Sequence, residues 1–195
     1  AVASYVAGRG MSVSVYGAQF LLDALYAADE AESALQLMNA SDGNSWGHMI
    51  YNLGATIAGE AWDPSQKKNM SFSHAWASAP ANVIPRGLFG IVPLRPAFET
   101  FRIKPQPAGL EHAELKVTTI RGPITASFKR LRGELQLIVD IPANTVADVH
   151  IPLENMKKAV VLQDGEQAIG DVKGDYFVVK GVGSGRHSFR VKDEG

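Results

Sequence analysis

Hydrophobic and polar positions change their period once along the chain, near Gly90. Before it, apolar residues recur at helical spacing; after it, they alternate or form short β-rich runs. From Met11 to Tyr26 the sequence is apolar apart from Ser12, Gln19 and Asp23, which fall on one side of a 3.6-residue helix. That pattern predicts a helix buried on most of its circumference. Ala27, Ala31, Ala34, Leu35 and Met38 then alternate with Glu30, Glu32 and Gln36, an outer amphipathic helix stopped by Asn39 to Gly43. A third helix is expected from a cap at Asn44 or Ser45, with Trp46, Met49, Ile50, Leu53 and Ile57 on one face and Glu60 at or just beyond its end. The polar stretch from Trp62 to Ser71, with Pro64 and Lys67-Lys68, reads as an exposed loop. A last helical segment, Phe72 to Phe89, should be bent or divided by Pro80 and Pro85.

Past Gly90, eight strands are expected: Thr100 to Ile103, Ala113 to Thr119, Ile124 to Lys129, Leu135 to Ile141, Val146 to Ile151, Ala159 to Leu162, Tyr176 to Val179 and His187 to Val191. Their spacing suggests an antiparallel sandwich. Arg132-Gly133 and Asp164-Gly165 mark hairpins, and the glycines from Gly181 to Gly185 read as another hairpin turn rather than a phosphate loop, because no helix follows them. Pro93 and Pro96 form a stiff connector, which places a domain boundary at residues 93 to 98. Four helices in fewer than a hundred residues do not cover each other's apolar faces unless they form a tight bundle, so the helical part reads as a piece of a larger α-array.

Composition narrows the function. A net charge of -1, with 19 basic and 20 acidic residues intermixed, provides no footprint for nucleic acid or an anionic membrane. No apolar run reaches the length of a membrane span, and the stretch Ala1 to Tyr5 lacks the features of a signal peptide. With no cysteine, disulfides and thiolate chemistry are excluded, while compartment stays open between periplasm and cytoplasm.

The chemistry gathers where the tryptophans do. Trp46, Trp62 and Trp76, the chain's three, bracket Glu60, His48 and His74. Aromatic plates that cover sugar faces, beside a carboxylate that moves a proton, are what a sugar-hydrolysing cleft requires. Glu60 precedes Ala61-Trp62, and burial against an indole would raise its pKa into the range of a general acid or base. The plain alternatives are a Glu at a helix end facing solvent, hydrogen-bonded structural histidines, and core tryptophans. No His-x-x-x-His or similar spacing supports a metal, and no cofactor is expected. Lys67-Lys68 and Lys157-Lys158 read as solvated pairs.

The order Ser14-Val15-Tyr16-Gly17-Ala18-Gln19-Phe20-Leu21-Leu22-Asp23, Trp46-Gly47-His48-Met49, Gly54-Ala55-Thr56 with Glu60-Ala61-Trp62-Asp63, Ser71-Phe72-Ser73-His74-Ala75-Trp76, and Ile103-Lys104-Pro105-Gln106-Pro107 resembles the C-terminal region of bacterial α-L-rhamnosidases of glycoside hydrolase family 78. The resemblance implies an α+β chain: the last helices of an incomplete (α/α)6 barrel over residues 1–92 and a C-terminal β-sandwich over 93–195. It also implies inverting hydrolysis of terminal α-L-rhamnosyl bonds, with Glu60 in the place of the general base and His74 in that of a sugar contact. Trp46 and Trp62 are the expected stacking plates. Gly59 and Ala61 depart from the Trp and Arg that often flank that Glu, and no stretch between Ala1 and Leu25 matches the family's acid-bearing motif. The chain is therefore expected to be a fragment that lacks the acid and is inactive alone. Its partners would be a rhamnose-containing glycan and, through the apolar helical part, a second copy of itself. The alternative is a non-catalytic carbohydrate-binding or structural module; the absence of Trp and the single Tyr176 in 93–195 favour a supporting role for the sandwich.

Overall fold

The computed structural model describes residues 5, 6, 8–154, 156 and 158–193. Residues 1–4 of the N-terminal stretch and Lys157 of the Lys157-Lys158 pair lie outside the described residues. The chain divides into two compact units, Ala1–Gly87 and Leu88–Gly195.

In the first unit, α1 (Val15–Ala27) begins at Val15 rather than Met11 and buries one stripe, Val15, Ala18, Leu22, Leu25 and Tyr26, instead of most of its circumference. It packs against α2 (Ala31–Asn39), the turn Ala75–Ala77 and α3 (Ala79–Val83). Phe20 lies outside this packing, 72% exposed. The expected third helix is shorter than its pattern. Ser45 Oγ caps it by accepting from the His48 amide at 3.0 Å, and the helix ends in the wide turn His48–Asn52. Gly54 takes φ 66 beyond it, and the Ala55 amide folds back to Met49 O at 2.8 Å. Ile57 and Glu60 consequently sit in irregular chain, not on or beside a helix. The last segment is also broken up. A short 3-10 turn, Ala75–Ala77, precedes α3, whose first turn contains Pro80, and a wide turn Ile84–Leu88 follows.

The second unit is the sandwich. Its first sheet runs β1-β2-β6-β10-β9 and its second β3-β4-β5-β11-β7-β8. The strands are β1 Val92–Pro93, β2 Thr100–Ile103, β3 His112–Thr119, β4 Gly122–Leu131, β5 Glu134–Ile141, β6 Val146–Pro152, β7 Ala159–Gln163, β8 Glu166–Gln167, β9 Asp171–Lys173, β10 Tyr176–Val182 and β11 Gly185–Asp193. All eight expected strands form, joined by the short β1, β8 and β9. Alternation decides the core: Leu135, Leu137, Val139 and Ile141 of β5 are buried, with Phe128, Phe189, Phe101 and Ile151 from other strands. Two features differ from the expectation. β2 pairs with β6 in parallel, while the other pairs are antiparallel. The Gly181 to Gly185 stretch is no hairpin, because β10 belongs to the first sheet and β11 to the second; the glycines carry the chain between sheets.

Candidate active site

The Gly54 turn leaves residues 55–74 as an irregular stretch that doubles back on itself. The Glu60 amide donates to Ser71 O and the His74 amide to Ala58 O, each at 2.8 Å, which fixes the loop without a repeating ladder. Asp63 caps the single turn Pro64–Gln66 by accepting from the Ser65 amide at 2.8 Å.

Three donors converge on Glu60. Tyr16 Oη donates to Oε1 at 2.9 Å, Lys67 Nζ reaches the same oxygen at 2.5 Å, and the Ser71 amide donates to Oε2 at 2.9 Å. The Glu60 side chain is 16% exposed and that of Lys67 40%. Lys67 above all, then the Ser71 amide and the Tyr16 hydroxyl, lower the Glu60 pKa to about 2 against a smaller opposing effect of desolvation. The expected upward shift is therefore reversed, because donors outweigh burial. Lys67, read from its sequence as solvated, is the principal donor. The same contact raises the pKa of Lys67, and the neighbouring carboxylate raises that of Tyr16.

Tyr16 also joins the two halves of the site. Its ring meets His74 edge-on at 5.0 Å and Trp76 at 5.3 Å, so Glu60, Lys67, Tyr16, His74 and Trp76 form one constellation. His74 Nε2 is buried without a hydrogen-bond partner, an atom that a ligand hydroxyl could satisfy. Trp46 and Trp62 do not join this surface. They are 9% and 1% exposed, cross at 5.0 Å with their planes near perpendicular, and donate their N–H groups to Ala77 O and Val13 O. With so little of either indole open to solvent, Trp62 is a core residue and Trp46 is nearly so, reaching only the wall of a separate cavity with Met38, Met49 and Ile57, and neither is placed as an exposed stacking plate. Trp76, 70% exposed, is the indole that faces out.

His48 has taken a structural place. Its Nε2 lies 2.9 Å from Asp63 Oδ2 and its Nδ1 3.0 Å from Asn52 Nδ2, so both nitrogens are committed. Ser65 and then His48 lower the Asp63 pKa to about 2. Arg86 pairs with Asp23 on α1. Among the described residues, no group of three or more His, Cys, Asp or Glu is placed to hold a metal ion, and no helix is long and apolar enough to cross a membrane.

Two family models match in succession: the bacterial alpha-L-rhamnosidase 6 hairpin glycosidase domain over residues 3–88, and the bacterial alpha-L-rhamnosidase C-terminal domain over residues 90–166. The chain belongs to the bacterial α-L-rhamnosidase family. Among curated relatives, the alpha-L-rhamnosidase of Streptomyces avermitilis is 27% identical over 189 residues, covering 93% of this chain and 18% of the relative. That of Formosa agariphila is 28% identical over 153 residues, covering 74% of this chain and 16% of the relative. The chain thus spans less than a fifth of the length of either. Its fold is similar to that of the alpha-L-rhamnosidase from Dictyoglumus thermophilum, with a TM-score of 0.82 at 22% identity over 91% of this chain and 21% of the other. The Streptomyces avermitilis enzyme, solved in complex with L-rhamnose, gives a TM-score of 0.77 at 26% identity over 90% of this chain and 17% of the other. These relatives make the chain part of a glycoside hydrolase family.

Proposed function

We propose that this chain contributes the general base to an inverting α-L-rhamnosidase, with Glu60 activating the water that attacks a terminal α-L-rhamnosyl bond. The observation that carries the proposal is geometric: three donors hold the Glu60 carboxylate in one place within the constellation of Tyr16, Lys67, His74 and Trp76. The same donors lower its basicity below that of an ordinary carboxylate. The water would take the side of Oε2, which accepts one hydrogen bond where Oε1 accepts two. His74, with its unpartnered Nε2, would receive a sugar hydroxyl. The rhamnosyl substrate follows from the relatives' names and from the structure solved with L-rhamnose.

An inverting reaction also needs an acid that protonates the leaving oxygen. Asp63, the nearest carboxylate in sequence, is ionised by its own partners and unsuited to that work. The acid then comes from outside residues 1–195, and the chain alone does not turn over. The exposed Ile50, Tyr51, Leu53 and Ile57 would be covered by self-association of the helical unit.

The test replaces the matching segment of the Streptomyces avermitilis relative with this chain. The chimera should hydrolyse an aryl α-L-rhamnoside, Glu60→Gln should lower kcat by about 10²- to 10⁴-fold, and the isolated chain should be inactive. A Glu60→Gln chimera with undiminished kcat defeats the assignment.

A further inference from the structure

Glu60 has one contact more than its position requires. Tyr16 Oη on Oε1 and the Ser71 amide on Oε2, each at 2.9 Å, anchor one oxygen apiece, and a donor at each end is enough to fix a carboxylate's orientation. Lys67 Nζ adds a third contact at 2.5 Å, on the oxygen that Tyr16 already occupies. It differs from the other two donors in charge and in footing. Tyr16 stands on α1 with its ring edge-on to His74 and Trp76, and the Ser71 donor is backbone. Lys67 carries its ammonium on a flexible stem, 40% exposed, just past the Pro64–Gln66 turn, so rotation about its own bonds takes the charge into water without moving the loop.

A base takes a proton onto a lone pair, and a cation in contact with its carboxylate opposes that. Lys67 is the first cause of the Glu60 pKa of about 2, ahead of the Ser71 amide and Tyr16. General-base rates follow base strength, so the paired carboxylate is much the weaker catalyst. The other charged groups of the loop are placed elsewhere: Asp63 is engaged at one oxygen by the Ser65 amide and at the other by His48, and Lys68 is exposed. We propose that Lys67 is a positioning residue that acts through Glu60 as a releasable latch: it pairs with Oε1 in the free protein and leaves when water and glycoside occupy the site, while Tyr16 and the Ser71 amide keep the carboxylate in place. The latch rests on the general-base reading of Glu60 above and adds the movement that gives the base its strength. Binding bears the cost of parting the ion pair, and chemistry then proceeds on a carboxylate held by two neutral donors.

The pH profiles of kcat and kcat/KM test it, because the first reports ionisation in the bound complex and the second ionisation in the free protein. In the chimera described above, kcat should decline as pH falls toward the ordinary glutamate value of 4.5, whereas kcat/KM should stay level there, since Glu60 in the free protein titrates only near 2. In Lys67→Met the two acid limbs should coincide, and Lys67→Arg should separate them again. At pH 7, where acid unfolding plays no part, Lys67→Met should lower KM about tenfold at unchanged kcat, because no ion pair has to be parted on binding. Coincident limbs in the unsubstituted chimera, or a loss of kcat with KM unmoved in Lys67→Met at pH 7, overturns the latch and leaves the base assignment standing. Undiminished kcat in Glu60→Gln would defeat the base assignment and the latch with it, so the two failures are read from different variants.

Discussion

Trp62 and Trp76 carry the same side chain in opposite situations. Helical spacing could not separate them, because which indole faces inward depends on where α1 and the 55–74 loop meet. Trp62→Ala should cost about 3–5 kcal/mol in urea unfolding, since it opens a cavity and strands Val13 O, whereas Trp76→Ala should change stability by less than about 0.5 kcal/mol. Similar losses at both positions would contradict the interior placement of Trp62. The motif singles out Glu60 but not its partners: Tyr16 lies 44 residues away, and Lys67 follows the Pro64–Gln66 turn before it pairs with Glu60. Lys67→Met should return the Glu60 pKa from about 2 toward its ordinary 4.5, read by carboxyl carbon NMR. The sign follows from linkage. A depressed folded pKa stabilises the fold above pH 4.5 and loses that contribution as pH falls toward 2, so in the Lys67→Met variant the Glu60 part of the acid dependence should shrink. An unmoved Glu60 titration in Lys67→Met would remove Lys67 as the cause.

At the level of elements, β5 shows how a strand can be read directly. One face of Leu135, Leu137, Val139 and Ile141 is buried in full, and each residue on the other keeps some solvent. The third helix shows the opposite, since Gly54 ends it six residues before the Glu its pattern seemed to reach, and a glycine's φ is not visible in an apolar period. On the first sheet, His150 of β6 packs edge-on to Tyr176 of β10 at 6.1 Å, near Arg102, Lys104 and Lys173, with Asp148 as the opposing charge. Burial first, then Arg102 and Lys104, push its pKa down to about 4. Between pH 6.5 and 4 the unfolded chain therefore binds a proton that the folded chain refuses, and stability declines as pH falls through that window. His150→Gln should reduce the difference between urea midpoints at pH 7 and pH 4.5; an unchanged difference would place the acid sensitivity elsewhere.

For the molecule as a whole, Ile50, Tyr51, Leu53 and Ile57 leave apolar area in water at a cost near 25 cal/mol per Å². Light scattering should give a mass that rises with concentration, and Ile57→Lys should return it toward the monomer. A compact monomer at micromolar concentration that binds no apolar dye would defeat this expectation. The change from helices to strands was legible because the hydrophobic period changes only once. The pairing partners were not, since alternation marks a strand without naming its neighbour. The parallel pairing of β2 with β6 has a consequence for the chain's synthesis. Thr100 pairs beside Val146, so β2 leaves the ribosome 46 residues ahead of its partner. At roughly 5–20 residues per second, that is a delay of about 2–9 s. In the interval β3, β4 and β5 can close on one another as a meander, while Phe101 and Ile103 wait with β1 alone at their side. Nascent chains stalled before Val146 should therefore expose that strand to chaperones, and those stalled well past Pro152 should hide it.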